Sequence, residues 1–184
     1  MFDAWGTYQA TTVCVSGAAH QYDPNIAAMA RAVSGFRALA LRARLRRLWA
    51  ILTRRSVRLL DLEDVRRSKT IEGSFDLGCA TIPVGSIRGS ESRGCDFDDE
   101  FLPLADGAGQ RWAGVYAARL CGVPLPAVSV VQVGEIYYVR DGHHRVSVAR
   151  MLGEEYIEAH VQVWQVKGEP AVAPAMHMKL VISV

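Results

Sequence analysis

The alternation of apolar and polar positions divides the chain into a helical first part and a mixed second part. Residues 1–22 show no clear period, apart from a possible short strand at 9–16, and we treat them as a tail. Asp23 suits an N-cap and Pro24 suits the first helical position, and the chain then stays rich in Ala, Leu and Arg to about Arg58. This stretch predicts one long helix or two.

The long helix is expected to pack through a stripe of leucines. Spacings of i, i+4, i+7 and i+11 align Leu41, Leu45, Leu48 and Leu52. The arginines that lie away from this stripe include Arg42, Arg46, Arg47 and Arg54. No acidic residue interrupts 24–60, so its nine arginines have no i,i+4 partner within the helix. We therefore expect one packed face and a cationic remainder.

The second part of the chain changes to short strands and helices. Residues 61–79 are interpreted as a connector, with a boundary near residue 70. The pattern then predicts a strand at 81–84, a Gly/Ser loop at 85–94, an acidic segment at 96–104, a helix at 110–121, a strand hairpin at 128–139, a helix ending at Gly153 and a strand at 156–164. The predicted organisation is a tail (1–22), a basic helical arm with connector (23–70), an α/β (α+β) domain (71–165) and a C-terminal tail (166–184).

Composition indicates a globular protein with an uneven charge distribution. Half of the 184 residues are apolar and 22% are charged, which excludes a disordered chain. The formal net charge is only +2, but residues 1–60 carry nine Arg against two Asp. Residues 61–184 carry twelve Lys/Arg against seventeen Asp/Glu. The basic arm is therefore expected to have a partner of its own.

Cysteine usage and targeting signals predict a soluble, cytoplasmic protein. The cysteines form no CxxC pair and have no His at ligand spacing, so neither a zinc site nor a disulfide framework is indicated. No metal site is predicted. The N-terminus lacks a secretory pattern, and four arginines within 38–52 exclude a membrane-spanning helix.

The candidate chemistry lies at 141–145, Asp-Gly-His-His-Arg, between a predicted strand and a predicted helix. Backbone N–H groups and the positive end of the helix dipole attract a phosphate at such a position. Gly142 lets the backbone approach the ligand without a Cβ, and Arg145 can hold two oxygens. Asp141 suits a helix cap, or the orientation of a ribose, a metal or His144.

The alternative is that the same residues are purely structural. In that interpretation Asp141 caps the helix, while His143 and His144 lie at the surface or pack. Arg145 then pairs with an acid such as Glu158. Asp-Gly-x-x-Arg is common in turns, so the spacing by itself leaves both interpretations open.

Several segments between residues 80 and 163 together carry a family resemblance. They are 81–87, 125–133, 137–140, 141–146, Ala149 and 157–161. In their order and loop lengths they resemble the nucleotide-binding half of the ParB/sulfiredoxin superfamily. The corresponding turn reads Gly-Glu-Arg-Arg in ParB-type proteins, Gly-Gly-Cys-His-Arg in sulfiredoxins and Asp-Gly-x-His-Arg in the free-serine kinases. Bacterial ParB-like proteins with a DGHHR motif are closer still.

This resemblance implies a small mixed sheet with flanking helices and a phosphate cradle. The cradle would consist of Asp141, Gly142, His143, His144 and Arg145, with Arg93 of the Gly/Ser loop as a second clamp. The implied ligand is a nucleotide, ATP, ADP or CTP, with Mg²⁺ as an optional companion. His143 stands where sulfiredoxins have their nucleophilic cysteine, which excludes their chemistry there. The chain has no room for the helix-turn-helix module of ParB, so partition-site recognition is not expected.

An enzymatic role needs a carboxylate near the cradle to accept a proton or hold Mg²⁺. The candidate catalytic residues are Glu91, Asp96 and His144. Asp98 and Asp99 are further carboxylates, although together with Glu100 they also fit a solvated, acidic first turn of a helix. Neighbouring histidines point about 100° apart on a helix, so joint metal binding by His143 and His144 is not expected.

Three partners remain open for the basic arm. Its arginines can neutralise nucleic-acid phosphates, with Arg42, Arg46, Arg47 and Arg54 as contacts. Its Leu/Trp stripe can lie on an anionic membrane, or the whole helix can pack on the acidic domain. Without a base-reading motif, any affinity for DNA is expected to be non-specific and steeply salt-dependent.

The sequence favours a nucleotide-binding, ParB-like regulatory or binding protein that associates with DNA. Its expected partners are a nucleoside phosphate and non-specific DNA, and a homodimer is left open. The alternative is an enzyme that uses the same cradle. It would be an ATP- or ADP-dependent phosphotransferase acting on a small hydroxyl compound, like the free-serine kinases, or a ParB-like nuclease.

Overall fold

A computed structural model of the chain describes residues 24–92, 96–104 and 108–167. These residues form an α+β fold, which confirms the predicted fold class. The helices are α1 (Pro24–Thr53), α2 (Leu62–Ser68), α3 (Gly109–Leu120) and α4 (His143–Met151). The strands are β1 (Leu60–Asp61), β2 (Ile71–Pro83), β3 (Ile87–Ser90), β4 (Val128–Val133), β5 (Ile136–Asp141) and β6 (Tyr156–Val166). The strand expected within 9–16 lies outside the described residues.

The strands form one mixed sheet in the order β1-β3-β5-β4-β6-β2. The β4–β5 hairpin is antiparallel, as its pattern predicts, and Gly134 turns it with a φ of 57°. Strands β3 and β5 are parallel, so their carboxyl ends, Ser90 and Asp141, lie at the same edge of the sheet. At Gly89 an added Cβ would come within 2.1 Å of the Tyr138 ring, so this close approach of β3 requires glycine.

The sheet contains residues that the sequence pattern assigned to the connector. Strand β2 begins at Ile71, ten residues before the expected strand, and β1 pairs with β3 through Leu60 and Asp61. Most residues of β2 are exposed, so no alternation of apolar positions marks it. It is held instead by its antiparallel pairing with β6, and this pairing extends along β2 from Ile71 to Pro83. Backbone hydrogen bonding thus decides the extent of this strand.

Apolar side chains fill both faces of the sheet. On one face Val128 and Val130 pack with residues of the 96–104 segment and of α4. On the other face Val131, Val133 and Trp164 pack against α2. A third cluster joins α1, α3 and α4 around the fully buried Trp112. This arrangement places α4, with its preceding turn, between the sheet and the two other long helices.

The leucine stripe predicted as the packed face of α1 is exposed, so that expectation is wrong. Leu41, Leu45, Leu48 and Leu52 are 58–77% exposed. The buried positions are mostly small, namely Ala28, Ala32, Leu39, Ala43 and Ala50. Alanines allow α1 to approach α3, whose bulky Trp112 fills the contact and meets Phe36 at 5.8 Å between ring centroids. Steric fit to Trp112, which the helix pattern does not contain, selects the buried face.

Candidate functional site

The turn between β5 and α4 requires glycine at its centre. Gly142 has a φ of 96°, and a Cβ there would lie 2.8 Å from Val128 Cγ1 and 3.0 Å from the Arg145 guanidinium. Gly142 supplies no side-chain cap to α4, and its carbonyl accepts the Val146 amide at 3.0 Å. The turn therefore presents the start of a helix without a capping side chain, which is the geometry the sequence predicts for binding an anion.

Arg145 folds back over this turn. Its Nη1 donates to the carbonyl oxygens of Pro126 and Ala127, the latter at 2.7 Å, and its Nη2 donates to Asp141 at 2.8 Å. The Arg145 side chain is 11% exposed, whereas that of Asp141 is 77% exposed. The acid that meets Arg145 is therefore Asp141, rather than Glu158 as the structural alternative names it.

The two histidines of the motif face inward. His143 is buried, its Nε2 lies 2.8 Å from Ser90 Oγ, and its ring stacks on Phe97 at 5.8 Å. The edge of the His144 ring meets Phe97 at 5.3 Å. The His143 imidazole thus connects α4 to the end of β3 and is turned away from solvent. The ring of His143 is therefore used in packing, and a part for His143 in a phosphate cradle stays a prediction.

The candidate catalytic carboxylates differ in their surroundings. Glu91 follows β3 directly, and its two oxygens accept from Arg140 at 2.6 Å and from Arg66 at 3.4 Å. Asp96 is partly buried and opens the segment that packs on both histidines. Arg93, the expected second clamp, lies outside the described residues. The fold therefore brings Glu91 and Asp96 to the same end of the sheet as the motif, with Glu91 already paired.

The acidic segment forms a tight loop instead of the first turn of a helix. Asp98 is 1% exposed, and its Oδ1 accepts the amides of Glu100 at 2.9 Å and Leu102 at 2.8 Å. Phe101 takes a φ of 59° inside this loop. Burial raises the pKa of Asp98 above its ordinary value, although the Leu102 and Glu100 amides and the Arg46 charge all act to lower it. Asp98 is thus a structural centre and not a solvated charge.

The loop binds the basic arm through what we call the acidic clamp, Asp98, Asp99 and Glu100. Arg46 donates to all three, at 3.2 Å from Nε to Asp98 and 2.8 Å from Nη2 to Asp99. Burial acts to lower the pKa of Arg46, but the Asp99 hydrogen bond and the three negative charges raise it overall. Arg42 adds a bond of 3.1 Å to Glu100.

The four arginines proposed as nucleic-acid contacts therefore fall into two groups. Arg42 and Arg46 hold α1 on the domain, as the packing alternative expects. Arg47 and Arg54 are exposed. Among these four, contact with nucleic acid depends on the second group, because Arg46 already donates to three carboxylates and Arg42 to one.

Arg150 is a structural residue that the sequence analysis missed. It lies in α4, donates to the carbonyls of Ile87 and of Asp99, the latter at 3.2 Å, and sits over the Phe101 ring at 4.9 Å. Burial lowers its pKa below the ordinary value. Arg150 lies in the last turn of α4, where arginines are common at helix surfaces. The sequence therefore does not indicate that its side chain is used in packing.

A cavity of about 390 Å³ lies beside the turn, between α3, α4 and the β2–β6 pair. Arg145 forms part of its wall, together with apolar residues of α3 and α4 and the ring of Tyr156. Arg119 and Glu154 form a bidentate pair in the wall, at 2.7 and 2.9 Å. The volume falls in the range of small-molecule sites.

The described residues contain no group of three or more His, Cys, Asp or Glu side chains that could hold a metal ion. Nor does any helix among them have the length and apolar character needed to cross a membrane. Comparison of the chain with family models, curated proteins and solved structures finds no match. The relationship to the ParB/sulfiredoxin superfamily therefore stays a prediction that rests on the motif residues.

Proposed function

We propose that the protein binds a nucleoside phosphate, with the phosphate at the start of α4 and the rest of the ligand in the adjacent cavity. One observation carries this proposal: Arg145 belongs both to the Gly142 turn and to the wall of the cavity. A ligand in the cavity therefore has within reach of its anionic group the Arg145 guanidinium, which lies against the Gly142 turn at the start of α4.

The partners of Arg145 in the structure allow a phosphate to replace one of them. The carbonyls of Pro126 and Ala127 hold the guanidinium in place without neutralising its charge. Asp141 supplies the negative charge, but it is largely exposed and can turn into solvent at small cost. A phosphate, which carries more charge and offers more acceptor oxygens than a carboxylate, takes over the Asp141 position in this proposal.

The cavity walls suit the remainder of a nucleotide. Val115, Leu125 and Val148 provide apolar surface for a base, and Glu158 provides an acceptor for sugar hydroxyls. Binding is favoured over phosphoryl transfer, because both oxygens of the candidate base Glu91 accept hydrogen bonds from arginines. The protein is accordingly a nucleotide-binding module, and DNA association through Arg47 and Arg54 stays a separate prediction.

The test is calorimetric titration of the full chain with ATP, ADP and CTP, with and without Mg²⁺. Arg145→Ala is expected to weaken binding at least tenfold, because a charged hydrogen bond contributes about 1.5–3 kcal/mol. Asp141→Asn is expected to tighten it, because a competing carboxylate is removed. Arg140→Ala is the matched control, since Arg140 belongs to the same strand end but pairs with Glu91 and Gln162.

Two results would contradict the proposal. One is the absence of binding for all three nucleotides at millimolar concentration. The other is binding that Arg145→Ala leaves unchanged, which would place the ligand elsewhere. Thermal unfolding gives an independent readout, because a ligand at 100 times its Kd adds about 2.7 kcal/mol to the stability of the protein that binds it.

A further inference from the structure

The outward side of α1 is an apolar surface that the described residues, 24–92, 96–104 and 108–167, leave exposed. We call Leu41, Leu45, Leu48 and Leu52, with Trp49 and Ile51, the leucine face. These side chains are 58–77% exposed, and they follow one another along about three turns of the helix. Complete burial of a leucine is worth about 1.5–3 kcal/mol, so a row of exposed ones marks a surface with an occupant.

Positive charge borders this face on both sides. At helical spacing, Arg37 and Arg44 flank the leucines on one side and Arg31 flanks them on the other, where Arg42 already bonds Glu100. No acidic residue occurs anywhere within 24–60. The occupant must therefore combine an apolar region with a dense negative charge at its edge.

We propose that α1 lies flat on an anionic lipid bilayer, with the leucine face in the interface and the bordering arginines among the lipid phosphates. A helix with an exposed apolar face bordered by basic residues binds such surfaces by burying that face about 5–10 Å deep, with electrostatic attraction to acidic lipids. Trp49 suits the same interfacial depth in the bilayer, because its ring is apolar and its N–H group is polar.

Two other occupants fit the observations less well. A nucleic-acid backbone matches the arginines but offers the leucines nothing apolar to cover them. A second copy of α1 matches the leucines, whose spacing alternates by four and three residues as in a coiled coil. However, it brings together two helices that each carry six arginines and no acidic residue, so the like charges repel.

The way α1 is held on the domain supports this orientation. Its alanine side packs on α3, and Arg46 is fixed by the acidic clamp, so the leucine face points away from the domain. The helix is thus already formed and oriented before it meets a membrane, which reduces the entropy lost on binding. The proposal does not depend on nucleotide binding at α4.

The experiment is sedimentation of the full chain with vesicles. One set contains phosphatidylglycerol and phosphatidylcholine in equal amounts, and the other contains phosphatidylcholine alone. The test variant combines Leu45→Gln with Leu48→Gln. The matched control combines Leu120→Gln with Leu152→Gln, two leucines that are also exposed but lie outside α1. Circular dichroism verifies that both variants retain the helix content of the parent protein.

The parent protein is expected to bind the anionic vesicles and not the neutral ones, and to be released by salt. The Leu45/Leu48 variant is expected to lose at least about tenfold in partitioning, and the control to lose little. Arg37→Gln and Arg44→Gln, which leave the leucines in place, are expected to cost roughly fivefold each.

Several outcomes would overturn the proposal. Equal binding of the Leu45/Leu48 variant and the parent protein would show that charge alone attracts the vesicles. Absence of binding to anionic vesicles would exclude the membrane outright. If the leucines instead control dimerisation in analytical ultracentrifugation or retention on duplex DNA, without vesicle binding, the occupant is a second copy or a nucleic acid.

Discussion

The guanidinium groups of Arg46 and Arg145 have different surroundings. Arg46 donates to three carboxylates, one of them the buried Asp98. Arg145 meets two backbone carbonyls and a single carboxylate, which is largely exposed. The first guanidinium is already neutralised by the protein, whereas the second is positioned but only loosely neutralised. The groups around an arginine therefore decide whether it holds the fold together or is available to a ligand.

Loss of Asp98 should have the largest effect on stability. Asp98→Ala removes the acceptor of the Glu100 and Leu102 amides and a partner of Arg46, and it leaves the Leu102 amide buried without a partner. We expect a loss of about 3 kcal/mol in the free energy of unfolding, measured by urea denaturation. Asp99→Ala is the control, because Asp99 is exposed, and its loss should stay below about 1 kcal/mol. If both variants lost the same free energy of unfolding, the burial of Asp98 would not explain its contribution to stability.

Loss of Arg46 should come next, and its effect should depend on pH. Arg46→Met leaves the Asp98 carboxylate buried without its cation, at a cost of about 2 kcal/mol near neutral pH. Arg42→Met removes a more exposed partner of Glu100 and should cost less than about 0.5 kcal/mol. The free energy of unfolding of both variants and of the parent protein is measured by urea denaturation at several pH values from acid to neutral.

The sign of this pH dependence follows from the raised pKa of Asp98. A carboxyl whose folded pKa exceeds its unfolded pKa keeps its full contribution at acid pH and loses it as the pH rises through the folded value. The charge of Arg46 lowers the pKa of Asp98, so its removal raises that pKa further. The stability that is lost when Asp98 ionises in the folded protein therefore becomes larger. The deficit of Arg46→Met should thus be small where Asp98 is protonated and reach its full size above that range. A deficit that shrinks towards neutral pH would contradict this assignment.

Loss of Arg145 should have the smallest effect on stability. Without ligand, Arg145→Ala breaks the bonds to Pro126 and Ala127, and we expect a loss of about 1.5 kcal/mol in thermal or urea unfolding. Asp141→Asn should change stability less, because its side chain is mostly in solvent. If Arg145→Ala destabilises the protein as much as Asp98→Ala, Arg145 is a structural residue like Arg46, and the contrast between the two sites disappears.

The strands and helices that alternate clearly in the sequence were predicted well. The β4–β5 hairpin and the glycine turn before α4 follow from local preferences, since Gly134 and Gly142 mark positions that need a positive φ. Strand β2 was predicted only at its end, because long-range pairing with β6 determines its length. The candidate site was predicted at the level of the motif, whereas the inward orientation of His143 depends on Phe97 and Ser90 in a distant segment.

Local propensity and periodicity are enough to predict the α+β class, the long basic helix and the turn at 141–145. The buried face of α1 and the arginines that form ion pairs are known only from the folded chain. Both depend on partners from remote parts of the chain, namely Trp112 for the alanine face and the acidic clamp for Arg46. A helix with apolar residues on several sides has no preferred buried face until neighbouring elements pack against it. In the same way, the function of an arginine depends on which acidic side chains the fold brings to it.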